Sequence, residues 1–270
     1  MTAAGSVNGQ QQRPSAALIV NADDWGRDAR TTQCILDCVQ CGAVTSVSAM
    51  VFMEGSESGA ALAREHGVDA GLHLNFTTPF TASRTPATIA ERQRTLGRYL
   101  RRHRLAQILF NPLLAGTFRD VVAAQIDEYR RLYGTDPQRM DGHHHMHLCA
   151  NVLLGGLLPA GTVVRRNFSF QPGEKGSVNR WYRRVVDARL GRRHRLTDFL
   201  FSLPPMGVPG RLERIASLAG ESVVELETHP VDDVEYRFLR DGGIAGRQPR
   251  LTVSPFASVF HLPSAGRGLA

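Results

Sequence analysis

The sequence lacks the features of a membrane-spanning, disulfide-rich or repetitive protein. No apolar run in its 270 residues approaches the ~20 residues that span a bilayer. It has four cysteines, and no internal repeat is visible. The first fifteen residues lack a basic start followed by an apolar stretch, so they do not resemble a secretory signal. We therefore expect a cytoplasmic protein with a flexible tail over residues 1–16 and a single domain over residues 17–270.

Three of the cysteines, Cys34, Cys38 and Cys41, recur at helical spacing on one face. They could bind a metal, but a zinc site also needs a fourth ligand with its own spacing. Free cysteine commonly behaves as a small buried hydrophobe, and we favour that role.

The net charge of +7 is concentrated in one stretch of the chain. Residues 165–195 contain ten Lys or Arg and two Asp or Glu, and a weaker cluster of six arginines covers residues 92–104. Such clusters can bind nucleic acid, an anionic membrane surface or an acidic substrate. A charge run is more often a solvated helix face, which is the interpretation we favour.

Short apolar runs alternate with helical patterns along the chain. The patterns predict helices over 28–41, 57–65 and 118–133, the last closed by Gly134. They predict seven strands, over 17–22, 45–52, 69–76, 139–145, 162–166, 196–202 and 222–228. Alternating strands and helices indicate an α/β fold with a parallel sheet, and a closed or nearly closed (β/α) barrel fits best. In such folds the reactive side chains lie where the strands end.

Four groups of polar residues lie at predicted strand ends: Asp23 and Asp24, His73, the run 141–147, and His229. Adjacent carboxylates at a strand exit point in different directions, so one can bind a metal while the other handles a proton. Asp-Asp alone is equally typical of a turn or a helix cap.

The run DGHHHMH is the strongest single signal. Asp141, His143, His145 and His147 share one face if the backbone stays extended. Histidine is costly to bury without partners and is a common metal ligand. His73 alone could be a hydrogen-bonded core residue, and the run alone could be a surface loop.

Two imidazoles and one carboxylate form a divalent-metal site with open positions for water and substrate. Such a site can hydrolyse an amide if a carboxylate accepts the proton of the water and an acid protonates the leaving nitrogen. Glu225 and Glu227, in the last predicted strand, could orient a histidine.

Three other functions remain open on the residues alone. A metal-dependent phosphoesterase could use the same ligands, usually with more carboxylates and two metals. An iron oxygenase shares the ligand set but usually has an all-β scaffold. A basic nucleic-acid or membrane-surface binder would leave the four strand-end groups unexplained.

The motifs NADDW, GLHLN, DGHHHMH and ELETHP, in this order, resemble those of the YdjC/ChbG-like carbohydrate deacetylases, which include hopanoid-associated members. The resemblance covers about Leu18 to His229. It implies an irregular (β/α) barrel, removal of acetyl groups from N-acetylated sugars, one Mg²⁺ or Zn²⁺ ion, and a homodimer in many members.

The resemblance also implies roles for individual residues. Asp23 is expected to be the general base, and His229 the general acid. The expected metal ligands are Asp24, His73 and His143. The expected substrate contacts are Asn75, His145, His147 and Arg166, with Arg166 a candidate for orienting the base.

The sequence departs from the family pattern at Trp25, where phenylalanine is common, and in the arginine-dense excursion over 165–195. Loops that cover the substrate lie in that region of the family. We therefore expect an amino sugar that carries phosphate, a nucleotide or another acidic group, and no nucleic-acid partner.

Overall fold

The computed structural model describes residues 15–102, 104–170, 174–204, 208–248 and 251–263. Seven parallel strands form one sheet in the order β5-β4-β3-β2-β1-β7-β6. Their bounds are β1 Ala17–Trp25, β2 Ser46–Ala49, β3 Ala70–Leu74, β4 Arg139–Gly142, β5 Val163–Val164, β6 Phe199–Ser202 and β7 Val223–Thr228. The α/β class and the seven parallel strands are thus confirmed.

Helices follow most of the strands. The α-helices are α1 Ala29–Gln40, α2 Ser56–His66, α3 Ala87–Arg102, α4 Ala115–Tyr133, α5 Ala150–Gly155, α6 Ser177–Leu190, α7 Arg211–Ala219, α8 Asp233–Arg240, α9 Gly243–Arg247 and α10 Phe256–Val259. Segments Arg104–Gln107, Pro112–Leu114 and His143–Leu148 are 3₁₀ helices. Within the described chain, no helix combines the length and apolar character needed to cross a membrane.

Local chemistry accounts for the predicted helix ends. The Asp28 side chain accepts a hydrogen bond from the backbone N–H of Thr31 and caps α1. Gly134 ends α4 in a left-handed conformation that costs glycine little (φ 75°). Both predicted boundaries are confirmed to within a few residues.

The two edges of the sheet approach each other through the segment before β6. Val163 pairs with Arg195 in an isolated parallel bridge, and the Val164 N–H donates to the Arg195 carbonyl. Farther along, the Ser169 N–H donates to the Leu200 carbonyl. The sheet therefore curls into an irregular, nearly closed barrel.

The C-terminal helix covers the end of the barrel at which the strands begin. Ala17, Ile19, Val163 and Val223 form a separate buried apolar cluster with residues of α10, including Phe256. The main hydrophobic core packs the helices against the outer face of the sheet. Polar side chains accordingly collect at the opposite end, where the strands finish.

The structure corrects one strand prediction that matters for the site. Strand β4 ends at Gly142 instead of continuing to residue 145, and a 3₁₀ helix begins at His143. Within it, His144 and His145 have left-handed backbone angles (φ 54° and 56°). The extended backbone assumed for DGHHHMH was therefore wrong, and its histidines do not share one strand face.

The cysteines differ in how far the structure buries them. All four cysteines are free; Cys38 is buried, Cys34 is intermediate and Cys41 is exposed. Burial raises the pKa of the Cys38 thiol to about 12, as expected for a buried hydrophobe.

Part of the basic excursion folds as α6. Of the predicted tail, residues 1–14 lie outside the described residues.

Candidate metal centre

Three candidate ligand atoms converge at the C-terminal end of the barrel. Asp24 Oδ1 lies 3.0 Å from His143 Nδ1 and 3.4 Å from His73 Nε2. All three atoms lie within 4.8 Å of one another. The three predicted metal ligands, which come from β1, β3 and the turn after β4, are thus brought together.

The hydrogen bonds around the two imidazoles leave the converging nitrogens free to bind a cation. Asp141 Oδ1 lies 2.7 Å from His73 Nδ1, so the N–H that it accepts leaves the lone pair on Nε2. Thr78 Oγ1 lies 3.0 Å from His143 Nε2, and this hydroxyl can accept the Nε2–H of the tautomer that has its lone pair on Nδ1. Asp24 Oδ1 and His73 Nε2 are buried and make no hydrogen bond to the described residues. One carboxylate and two imidazoles in this arrangement fit a divalent metal ion.

The charge around His73 also favours a cation. Burial alone would lower the pKa of this imidazole, but the carboxylates of Asp23 and Asp141 raise it to about 10. A buried pocket that holds a proton this strongly offers a favourable potential to a divalent cation.

A backbone irregularity turns both adjacent carboxylates toward the site. The register of β1 against β2 shifts between Ala22 and Trp25, and Asp24 has a left-handed conformation (φ 70°). In a regular strand, neighbouring side chains would point to opposite faces. Here His73 Nε2 lies 3.4 Å from Asp24 Oδ1 and 3.9 Å from Asp23 Oδ2.

Asp23 is held by a buried guanidinium. Arg165 donates from Nη1 to Asp23 Oδ2 at 2.6 Å and from Nη2 to Oδ1 at 2.7 Å. The Asn21 side chain donates a further hydrogen bond of 2.8 Å to Oδ1. Burial opposes the charge of this carboxylate, but Arg165 and His73 outweigh it and lower the pKa of Asp23 from its ordinary value. Asp23 is therefore both ionised and fixed in orientation.

Arg165 is the centre of a buried charge network at the strand ends. Besides Asp23, its guanidinium lies 2.7 Å from Glu225, 3.1 Å from Glu227 and 3.1 Å from Asp141. Burial raises the pKa of Glu225 to about 7 despite the neighbouring guanidinium. The Arg165 guanidinium thus forms ion pairs with four carboxylates.

The position against Asp23, the predicted base, belongs to Arg165 and not to Arg166. The Arg166 guanidinium donates to the carbonyl oxygens of Thr197 and Asp198 and to the Asp187 carboxylate. It therefore faces away from Asp23, and the base-orienting role expected for Arg166 is corrected.

His229, the predicted general acid, lies beside Asp23, the predicted base. Ligand atoms of His229, Asp23 and Glu227 all lie within 4.8 Å of one another. Glu227 Oε2 also lies 3.3 Å from His145 Nε2, so this carboxylate contacts a histidine, as the sequence predicts. The His145 ring is partly exposed and packs edge-on against Phe168 at 4.5 Å between ring centroids.

Two of the expected substrate contacts are buried structural residues instead. His147 is fully buried, and its Nε2 lies 2.9 Å from the Arg165 carbonyl oxygen. Asn75 is also fully buried; its Oδ1 accepts hydrogen bonds from the N–H groups of Thr77 and Thr78. Neither side chain can reach a substrate, because each is covered and bonded to the loops that carry other site residues.

The comparison with known proteins assigns a family to this arrangement. The model of the family described as YdjC-like protein matches residues 17–238. The chain belongs to this family.

Curated relatives of this YdjC-like chain are named as deacetylases. A carbohydrate deacetylase from Mus musculus is 34% identical over 143 residues, which cover 52% of the chain and 45% of the mouse protein. A chitooligosaccharide deacetylase from Enterobacter sp. (strain 638) is 31% identical over 180 residues, covering 65% of the chain and 64% of that protein. The chain spans about half the length of the first curated relatives it matches.

A solved structure has the same fold. The crystal structure of a candidate cellobiose-phosphate cleavage protein from Enterococcus faecalis V583 superposes with a TM-score of 0.64. The superposition covers 90% of the YdjC-like chain and 98% of the other chain at 17% sequence identity. At this identity the likeness concerns the fold alone.

Sequence reasoning missed Arg165, although strand alternation could have found it. Val163, two residues earlier, packs into the apolar cluster inside the barrel. Arg165 has the same parity and therefore faces the interior, whereas Arg166 faces outward. Ser48, which bridges Asn21 and Asp141 by hydrogen bonds, was also missed, because a lone serine in a strand carries no signal.

A groove opens beside the site of the YdjC-like chain. It has a volume of about 800 Å³, and its lining includes His144 and His145, which directly follow the candidate ligand His143. Its far wall includes Trp181 and Tyr182 of α6, with Arg183 beside them. A sugar-sized ligand in the groove would therefore contact the turn that carries His143.

Proposed function

We propose that this YdjC-like protein is a metal-dependent hydrolase that removes the N-acetyl group of an amino sugar or glycoconjugate and releases acetate. The observation that carries the proposal is the convergence of Asp24 Oδ1, His73 Nε2 and His143 Nδ1 beside the Asp23 carboxylate. The deacetylase names of the curated relatives support the same reaction.

The ligand set of the proposed site is Asp24, His73 and His143, for one Zn²⁺ or Mg²⁺ ion. Imidazole nitrogens suit zinc, and the carboxylate suits either metal. A bound divalent cation supplies Lewis acidity for the acetyl carbonyl and for an attacking water.

Asp23 is the proposed general base. Its two hydrogen bonds from Arg165 and one from Asn21 fix the plane of the carboxylate. A positioned carboxylate can accept the proton of the attacking water, and fixed geometry lowers the entropic cost of that step.

His229 is the proposed general acid. An amide nitrogen is a very poor leaving group unless it is protonated, so the reaction needs an acid within reach of that nitrogen. His229 lies close to both Asp23 and Glu227, so its imidazole stands beside the proposed base.

The charge distribution favours this reaction over a two-metal phosphoesterase. A second potential ligand group, Asp23 with Glu227 and His229, lies next to the first. Its two carboxylates already bind Arg165, at 2.6 Å and 3.1 Å. A second metal ion there would have to displace or repel this buried guanidinium.

Acetate release from a panel of N-acetylated sugars, with and without a chelator, tests the proposal. Asp23→Asn should abolish turnover but retain the metal, because it changes the base and not a ligand. His73→Ala should abolish turnover and also lower the metal content measured by elemental analysis. His66→Ala, at an exposed position of α2, is the matched control and should change neither. Turnover that survives the chelator, or two metal ions per chain, would contradict the proposal.

A further inference from the structure

A single hydroxyl group lies between the two halves of the candidate site. Ser48, in β2, is fully buried. Its Oγ accepts a hydrogen bond of 2.8 Å from Asn21 Nδ2 and one of 3.1 Å from Arg139 Nη1. It donates its own proton to Asp141 Oδ2. The one donor and both acceptor positions of this hydroxyl are therefore used.

The neighbours of Ser48 fix the direction in which its proton points. The amide nitrogen of Asn21 and the guanidinium of Arg139 can only donate, so they take the lone pairs of Oγ. The proton is left for Asp141, whose ionised carboxylate can only accept. Burial opposes the charge of Asp141, but Arg165 outweighs it and lowers the pKa of this carboxyl from its ordinary value.

Hydrogen bonds continue from two partners of Ser48 to the proposed reacting groups. Asn21 Nδ2 also donates to Asp23 Oδ1 at 2.8 Å. The other oxygen of Asp141, Oδ1, lies 2.7 Å from His73 Nδ1. An unbroken chain of hydrogen bonds thus runs from the proposed base, through Ser48, to a proposed metal ligand.

Arg165 forms a second connection between the same two carboxylates. Its guanidinium lies 2.6 Å from Asp23 and 3.1 Å from Asp141. This connection carries a positive charge, whereas the Ser48 hydroxyl is neutral. Removing the hydroxyl leaves the net charge of the site unchanged, so any effect of Ser48 is one of orientation.

We propose that Ser48 is a positioning residue that aligns the base and a metal ligand together, an inference that rests on the proposed deacetylase function. Its hydroxyl holds Asn21 against Asp23 and turns Asp141 toward His73. The hydrogen-bond partners of a metal ligand set its affinity, and a base acts within a narrow range of positions. One substitution at Ser48 should therefore affect metal binding and turnover at once.

Ser46→Ala is the matched control for Ser48→Ala. Both serines are fully buried and share one face of β2. Ser46 Oγ donates to Asp69 Oδ2 at 2.7 Å and accepts from the Phe256 N–H, at the end of the barrel where the strands begin. Each variant removes one buried hydroxyl and its hydrogen bonds, so both should lose a similar free energy of unfolding in denaturant.

Zn²⁺ affinity of the metal-free proteins, measured by competition with a chromophoric chelator, tests the inference without a catalytic readout. Direct partners of a ligand change metal affinity by about 10- to 100-fold, so Ser48→Ala, one hydrogen bond farther away, should lower it at least about threefold. Ser46→Ala should keep the wild-type affinity. Equal affinities in wild type and Ser48→Ala, or an equal loss in the two variants, would overturn the inference.

Turnover of N,N′-diacetylchitobiose at saturating Zn²⁺ tests the connection to the base. Ser48→Ala should lower kcat at least about threefold with KM unchanged, because the hydroxyl acts through other residues and not on the sugar. Ser46→Ala should keep kcat. A wild-type kcat in Ser48→Ala would overturn the alignment of Asp23.

Asn21→Ala separates the two ends of the chain and replaces Ser48→Ala if that variant fails to fold. It breaks the connection to Asp23 but leaves the hydrogen bond between Ser48 and Asp141. Asn21→Ala should therefore lower kcat and keep the wild-type Zn²⁺ affinity, and the opposite result would overturn the inference. Absence of turnover in the wild type would refute the proposed function, while the Zn²⁺ affinities would still decide whether Ser48 positions His73.

Discussion

Arg165 and Asp23 are joined by two hydrogen bonds of 2.6 and 2.7 Å between residues 142 positions apart in the chain. Both side chains are buried, so solvent does not screen the pair. The planar fork of the guanidinium matches the two carboxylate oxygens and restricts rotation of Asp23. Arg165 therefore positions the proposed base and keeps it ionised.

Replacing Arg165 by lysine should distinguish the effect of its positive charge from the effect of its paired hydrogen bonds to Asp23. Lysine keeps the positive charge but cannot form the paired hydrogen bonds, so kcat should fall roughly 10- to 100-fold. Bound metal should stay at the wild-type level, because the three ligands are unchanged. Arg64→Lys, whose guanidinium bonds the Leu132 carbonyl between outer helices, is the control for a general arginine effect. An unchanged kcat in Arg165→Lys would show that the paired hydrogen bonds do not matter.

Asp141→Asn should weaken metal binding without removing a proposed ligand. The Asp141 carboxylate accepts from His73 Nδ1 and raises the basicity of Nε2. Loss of this charge should reduce metal affinity by about 10- to 100-fold, measured by competition with a chromophoric chelator. Asp136→Asn, at an exposed position outside the site, should leave the affinity unchanged. Equal affinities in all three proteins would contradict the role of Asp141.

Most of the fold could be predicted from the sequence, because its signals are local. Apolar residues mark most of the seven strands, and residues such as Asp28 and Gly134 mark helix ends through hydrogen bonds within their own turns. The main error was the predicted extension of the fourth strand to residue 145. Gly142 ends β4 because the following histidines turn into a 3₁₀ helix, and no apolar periodicity marks that turn.

His147 should make stability depend on pH in the acidic range. Burial lowers the pKa of its imidazole to about 3, only partly offset by the hydrogen bond to the Arg165 carbonyl. Between pH 6.5 and 3 the unfolded chain binds a proton that the folded chain does not bind. The stabilising contribution is therefore complete above pH 6.5 and is lost as the pH falls, by about 1.4 kcal/mol per pH unit.

Denaturant unfolding of wild type and His147→Gln across this range measures the contribution. Glutamine offers a donor to the Arg165 carbonyl but does not titrate, so the difference between the two free energies of unfolding should narrow toward low pH. A difference that stays constant with pH would contradict the neutral, buried state of His147.

Gly71→Ala should destabilise the protein, because the inner face of β3 has no room for a side chain. A Cβ at this position would lie 2.7 Å from the Arg139 guanidinium carbon. Arg139 cannot retreat easily, since it is buried, bonded to Ser48 and stacked on Phe256. We expect a loss of about 1–3 kcal/mol in the free energy of unfolding.

Gly116→Ala is the matched control for that substitution. A Cβ there meets nothing within 4 Å, and the position lies in α4. Alanine should be neutral or stabilising by up to about 1 kcal/mol in a helix. Equal stability of the two variants in denaturant unfolding would contradict the close packing of Arg139 on Gly71.

The candidate site was only partly predictable, for a different physical reason. Histidines and carboxylates at predicted strand ends can be recognised by residue type alone, and this is how Asp24, His73 and His143 were predicted. Supporting residues are defined by contacts between distant strands, so Arg165 could be confused with its neighbour Arg166. His147 is too deeply buried to contact a substrate, and no local sequence pattern predicts that burial.

The irregular backbone between Ala22 and Trp25 has a consequence for how this pair of carboxylates could arise or be lost. The proposed proton acceptor and the proposed metal ligand are consecutive in sequence, and the extra residue in β1 lets both carboxylates face His73. Asp23 and Asp24 are the two residues between Ala22 and Trp25, so the extra residue is itself one of the pair, and a deletion that restored regular alternation would remove an aspartate. The reactive pair is therefore specified by chain length at this point as strictly as by side-chain chemistry.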